Sequence, residues 1–178
     1  MTRSLGARDR FETIYHAYYP AIHQYVARRT DSPDDTADAI SETFLTAWRR
    51  IGDVPEGDEA RLWLYGVARR VLSNQRRGAS RRAVLAERLR EELAAERRAA
   101  PADLDHVRDV FDRLSARDRE VLALTCWEGL TGQQIGKVLG CTATAVRIRL
   151  HRARKRLARE LGVAEEGNPT AELRGENL

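Results

Sequence analysis

Apolar residues recur at three- and four-residue intervals along nearly the whole chain, and no segment alternates with the two-residue period of a strand. The pattern predicts an all-α protein. Phe11, Ile14, Tyr15, Tyr18, Ile22, Tyr25 and Val26 place a first helix over 9–29, with Pro20 expected to kink or divide it. Ser32 and Pro33 mark the start of a second helix over about 34–51, which turns Ile40, Phe44, Ala47 and Ile51 inward. Trp48 borders that stripe and is expected in the core. An acidic, turn-rich loop covers 52–59, and a third helix from Ala60 to Arg77 begins apolar and ends basic.

Leu85, Leu89 and Leu93 form a stripe too thin for a globular core, so 79–102 is predicted to be a flexible linker. Leu104, Val107, Phe111 and Leu114 then open a second unit. Ser115 with Asp118 reads as the cap of a helix over about 116–128. Thr131 with Gln134 reads as the capping box of a short helix that stops at Gly140, and a last helix runs from Thr142 to Leu161. The expected architecture is two small helical domains, 9–78 and 103–161, joined by that linker, the second ending in a helix-turn-helix. The segment 162–178 is expected to be disordered.

The chain has 178 residues, of which 42% are hydrophobic and 33% charged, enough for compact helical cores beneath a large solvated surface. The net charge of +4 is modest, so its distribution carries more information than its total. Arginine dominates 61–82 and 147–159 on either side of an acidic middle, which reads as two separate anion-binding surfaces. Cys126 and Cys141 have neither metal-ligand nor disulfide spacing and read as small, buried or half-buried thiols of a reducing cytosol. His16, His23, His106 and His151 lie far apart, so neither metal nor cofactor is expected. No apolar run approaches the ~20 residues that cross a bilayer, and no signal-peptide core is present; a cytoplasmic protein without membrane insertion is expected.

Two short helices around a glycine turn, the second strongly basic, form the pattern of a DNA-binding helix-turn-helix. At ~100° per residue, Val146, Leu150, Ala153 and Leu157 make one narrow buried seam. The opposite face collects Thr144, Ile148, His151, Arg152, Lys155 and Arg159, with Arg147, Arg154, Arg149 and Arg156 flanking the seam. Glu160 is almost the only acid in that helix, so its cations gain little from intrahelical pairing. The candidates for contact with duplex DNA are Thr144, Arg147, Ile148, His151, Arg152, Arg154, Lys155 and Arg156.

With these elements in place, the chain resembles the extracytoplasmic-function sigma factors, the smallest group of the sigma-70 family. Asp38-Ala-Ile-Ser-Glu-Thr-Phe-Leu-Thr-Ala-Trp-Arg49 is similar to the family's region 2.2, and Trp63-Leu-Tyr-Gly-Val-Ala-Arg69 to the start of its promoter-melting helix. Leu114-Ser-Ala-Arg-Asp-Arg-Glu-Val-Leu122 and Ala145-Val-Arg-Ile-Arg-Leu-His-Arg-Ala-Arg154 are similar to region 4. The resemblance implies a first domain that meets the polymerase clamp and melts the −10 element, and a second that reads the −35 element as duplex. It implies core RNA polymerase and promoter DNA as partners, with an anti-sigma factor usual for the family. Arg70 and Asn74 depart from the family's frequent Asn and Asp, and Ile148 from its common Ser.

On this resemblance Trp63, Arg69, Arg70, Arg76 and Arg77 are the candidates for the −10 strand. Asp38, Glu42, Leu45 and Arg49, opposite the buried stripe of their helix, are the candidates for docking polymerase. Trp63 either packs inward or offers a stacking surface to bases, and packing is favoured. A stand-alone helix-turn-helix regulator is the alternative function, distinguished by binding DNA without core polymerase. A nucleic-acid enzyme is disfavoured, because the acids of 31–59 show no paired spacing on one face.

Overall fold

The computed structural model describes residues 2–90, 109–111 and 113–162, and all regular structure among them is helical. Helix α1 spans Thr2–Ala27, α2 Pro33–Arg49 and α3 Asp58–Arg90; in the second half of the chain α4 spans Ala116–Cys126, α5 Gly132–Leu139 and α6 Ala143–Leu161. Pro20 does not divide α1. It lies on the exposed face with His16, so water can reach the carbonyl that its missing N–H leaves free. Ser32 caps α2 by accepting a hydrogen bond from the Asp35 amide at 3.0 Å, with Pro33 in the first turn.

The first three helices close on an aromatic centre. Phe44 of α2 meets Tyr15 edge-on at 4.8 Å and stacks on Tyr19 at 6.0 Å. Ile22, Tyr25 and Val26 of α1 and Leu64 and Ala68 of α3 are fully buried around it. The acidic loop is tied down from α1: Arg10 donates to the Val54 carbonyl, and the Tyr18 hydroxyl donates to the Gly57 carbonyl at 2.8 Å. Trp48 departs from the core placement expected of it. It is 43% exposed, its ring edge-on to Phe11 at 5.3 Å, because it borders the buried stripe of α2 and the helices packed there do not reach far enough to cover it.

Among the described residues the second half has a cluster of its own, Leu114, Leu122 and Ala153, lined by Phe111, Leu150 and Leu157. Six of its other buried residues, Val121, Leu124, Leu130, Ile135, Val138 and Val146, join the same cluster as the first unit's core. Two helical domains are present as expected, and among the described residues they pack against each other, with α5 lying against α3. Charge pairs seal this contact. Arg29 bonds Glu120 at 3.2 Å and Glu128 at 3.1 Å, Arg28 also pairs with Glu128, and the Tyr25 hydroxyl donates to Glu120 at 2.7 Å. The expected linker is helical as far as Arg90, and the remainder at 91–102 lies outside the described residues, as does the tail from 163. Cys126, expected buried or half-buried, is exposed, while Cys141 is half-buried.

Candidate nucleic-acid interface

The turn between α5 and α6 sets the pose of the basic helix. Gly140 closes α5 in the left-handed conformation, φ 68°, which a side chain would strain. At Gly136 space is the constraint: a Cβ there would sit 2.6 Å from the Cys141 carbonyl oxygen, so only glycine lets the turn fold onto the helix. Both halves of the capping box form, with the Thr131 amide donating to Gln134 at 2.9 Å and the Gln134 amide to the Thr131 hydroxyl at 3.4 Å. Thr142 caps α6 by accepting from the Ala145 amide at 3.1 Å.

On α6, Val146 and Ala153 are fully buried and Leu150 and Leu157 half-buried, so the seam reads as the helical angles require. Thr144, Arg147, Ile148, His151, Arg152, Arg154, Lys155 and Arg156 are all exposed, and Ile148 keeps 47% of its surface open. Arg156 bonds Asp118 of α4 at 3.0 Å, a contact the sequence pattern did not reveal.

The patch on α2 is also exposed at Asp38, Glu42, Leu45 and Arg49, with Leu45 40% open. Across it runs a groove of about 580 Å³ whose other wall is α3, contributing Arg70, Val71 and Asn74. The five residues assigned to the −10 strand are therefore not brought together. Arg70 shares its groove with Asp38, Glu42 and Leu45. Trp63 is half-buried, with the Arg50 guanidinium 5.9 Å from its ring. Arg69, Arg76 and Arg77 point instead into a second cleft, between the two halves of the molecule. There Arg76 donates to the Arg29 carbonyl at 3.2 Å and Arg77 to the Asn74 side chain at 2.5 Å.

The residues that hold the halves together were not among the expected site residues. Tyr25, Arg28 and Arg29 meet Glu120 and Glu128 across separations of 91 to 100 positions, and no local pattern marks such pairs. Burial, reinforced by the Glu120 charge, raises the Tyr25 phenol well above its ordinary 10.0. Burial and Glu128 likewise raise Tyr65. Among the described residues no group of three or more His, Cys, Asp and Glu could hold a metal ion, and no helix is long and apolar enough to cross a membrane.

The family model described as Sigma-70 region 2 matches residues 14–82, and that described as Sigma-70, region 4 matches residues 104–157. The RNA polymerase sigma factor CarQ of Myxococcus xanthus is 32% identical over 90% of this chain and 94% of its own. The ECF RNA polymerase sigma factor SigL of Mycobacterium tuberculosis is 31% identical over 84% of this chain and 89% of its own. Among solved structures, the sigma factor RpoE of Bartonella quintana, in complex with the anti-sigma factor NepR, shares the fold with a TM-score of 0.67 at 24% identity. That likeness covers 87% of this chain and 98% of the other.

Proposed function

This chain belongs to the extracytoplasmic-function sigma factors of the sigma-70 family, and from that premise we propose that it binds core RNA polymerase, reads the −10 and −35 promoter elements and promotes initiation without chemistry of its own. The observation that carries the duplex-reading part is the exposure of every proposed −35 contact on a capped recognition helix whose seam is buried. Arg152 and His151 face outward for base edges, with Thr144 and Ile148 beside them. Arg147, Arg154 and Lys155 serve phosphates on the flanks. Arg156 is the weakest candidate, since Asp118 already neutralises it.

Polymerase docking is assigned to Leu45 within its frame of Asp38, Glu42 and Arg49, an apolar contact ringed by charge. The groove adds Arg70 to this surface, and leaves Trp63, Arg69, Arg76 and Arg77 for the −10 strand. The site of action is the cytoplasm. An anti-sigma factor, the class of partner held by the Bartonella protein, is a further partner.

Run-off transcription with purified core polymerase on a promoter library tests the reading. Transcripts should require both the chain and the polymerase, and scrambling the −35 element should abolish them. Tight, sequence-specific operator binding without polymerase would instead identify a stand-alone regulator. Leu45→Glu should leave the melting curve unchanged while weakening core binding several-fold, on the order of 1 kcal/mol or more.

A further inference from the structure

The two basic blocks of the sequence do not form two separate surfaces; part of each faces the same cleft. A cavity of about 640 Å³ between the halves is lined by Arg29 beyond α1, Arg69, Arg76 and Arg77 of α3, Arg117 of α4 and Arg149 of α6. Among the described residues Glu120 is the one carboxylate on its walls, and it is engaged by Tyr25 and Arg29. Arg69, Arg117 and Arg149 have no carboxylate partner among the described residues. Arg29 is 7% exposed and keeps its Nη2 buried without a hydrogen-bond partner.

Arg69, Arg117 and Arg149 face one cavity without a carboxylate partner among the described residues, so they leave a positive field there that a bound polyanion would relieve. The first turn of α4 adds to the field, since Ala116 and Arg117 line the cleft at a positive helix end. The volume is that of a small-molecule site, whose usual range is about 300–1,000 Å³. The cations come from three helices and the end of α1 to one bounded cavity, which suits a compact ligand better than an extended strand of nucleic acid. Planar guanidinium groups grip phosphate oxygens in pairs, and a carboxylate ligand would leave most of them unused.

We propose that the cleft between the two halves binds a small polyphosphate, recognised through its phosphate chain and held by arginines of both halves at once. A ligand there bridges the halves and stabilises their docked arrangement by its own binding energy. It also occupies Arg69, Arg76 and Arg77, the cations proposed for the −10 strand, so the ligand and promoter DNA exclude each other.

The inference goes beyond the proposed function, and its test needs neither polymerase nor DNA. Inorganic tripolyphosphate is titrated into the full chain by calorimetry at low salt. One saturable site is expected, weakening as salt screens it. Arg69→Ala on the first half and Arg117→Ala or Arg149→Ala on the second should each lower affinity about tenfold, equivalent to about 1.4 kcal/mol. Arg159→Ala, an exposed cation at the far end of α6, should leave affinity within about twofold. Melting curves without ligand establish that each variant folds. A nucleoside triphosphate should bind no more than a few-fold tighter than tripolyphosphate, because no exposed aromatic ring lines the cleft. Absence of saturable binding would overturn the proposal, as would equal loss in Arg159→Ala or indifference to Arg117 and Arg149. So would a nucleotide bound far more tightly through its base.

Discussion

The two halves of this molecule bury their apolar residues in different ways. The first gathers Phe11, Tyr15, Tyr19 and Phe44 into one aromatic centre and closes three helices around it. Among the described residues the second keeps Leu114, Leu122 and Ala153 in a cluster of its own, and sends Val121, Leu124, Ile135 and Val146 into the cluster shared with its neighbour. A large aromatic core supports itself, whereas a small three-helix unit gains much of its burial from whatever it docks against. The half proposed to read duplex DNA thus shares much of its described burial with the other, which couples its release to its stability.

Removing the charge seal should separate the halves most clearly. In Arg29→Met, Glu120 and Glu128 lose a partner, and the Glu128 side chain is only 2% exposed. Breaking such a buried pair from one side costs up to about 3–5 kcal/mol, and less here because Arg28 still pairs with Glu128 and Tyr25 still donates to Glu120. Hydrogen exchange should quicken in α4 and α5 while α2 stays protected; equal loosening in both halves would mean that the first is not self-supporting.

A steric change inside the second half should act next. Gly136→Ala drives a Cβ against the Cys141 carbonyl and should cost about 1–3 kcal/mol, lowering the melting temperature and duplex binding together. Gly52→Ala, in the loop of the first half, meets open space and should leave the melting temperature unchanged.

On the recognition helix, Arg152→Ala should cost about 1–3 kcal/mol at a matched −35 element and relax its sequence preference. Arg156→Ala should lose less and lose it equally on scrambled DNA, because Asp118 already holds that side chain. Equal losses for Arg152→Ala on matched and scrambled elements would remove it from the base readers.

The smallest effect should be alkaline. Tyr25 has a raised folded value, so its neutral form is favoured by folding. Its stabilisation is complete below the ordinary 10.0 and is lost as pH climbs toward the raised value, where a phenolate would face Glu120. Unfolding free energies from pH 8 to 11 should fall at the top of that range in the wild type and less in Tyr25→Phe, which lacks the titrating group.

Much of the local structure was legible from neighbouring residues. Ser32, Ser115, Thr131 and Thr142 each cap the helix that their position foretells, because a hydroxyl reaching an amide three residues on is a local matter. Leu45 is exposed as its angle on α2 requires, and so is every candidate on α6. Where longer reach was needed the pattern failed. Trp48 borders a buried stripe and still faces solvent, because the width of a seam is set by the helix packed against it. Arg70 and Arg69 are adjacent in sequence, yet about 100° of helical turn sends one to the groove beside Leu45 and the other to the cleft between the halves.

The sequence by itself determined the all-helical class, the caps, the glycine turn and the outward cationic face of α6, since each depends on residues within a turn or two of one another, but not the reach of α3 to Arg90. It also determined the family, through motifs whose order and spacing survive in a linear reading. Only the tertiary structure decided that the halves dock, that Arg28 and Arg29 find Glu120 and Glu128, and that two distant arginine blocks share one cavity. Those outcomes depend on the relative placement of helices far apart in the chain, which buried area and charge pairing fix together and which no local periodicity encodes.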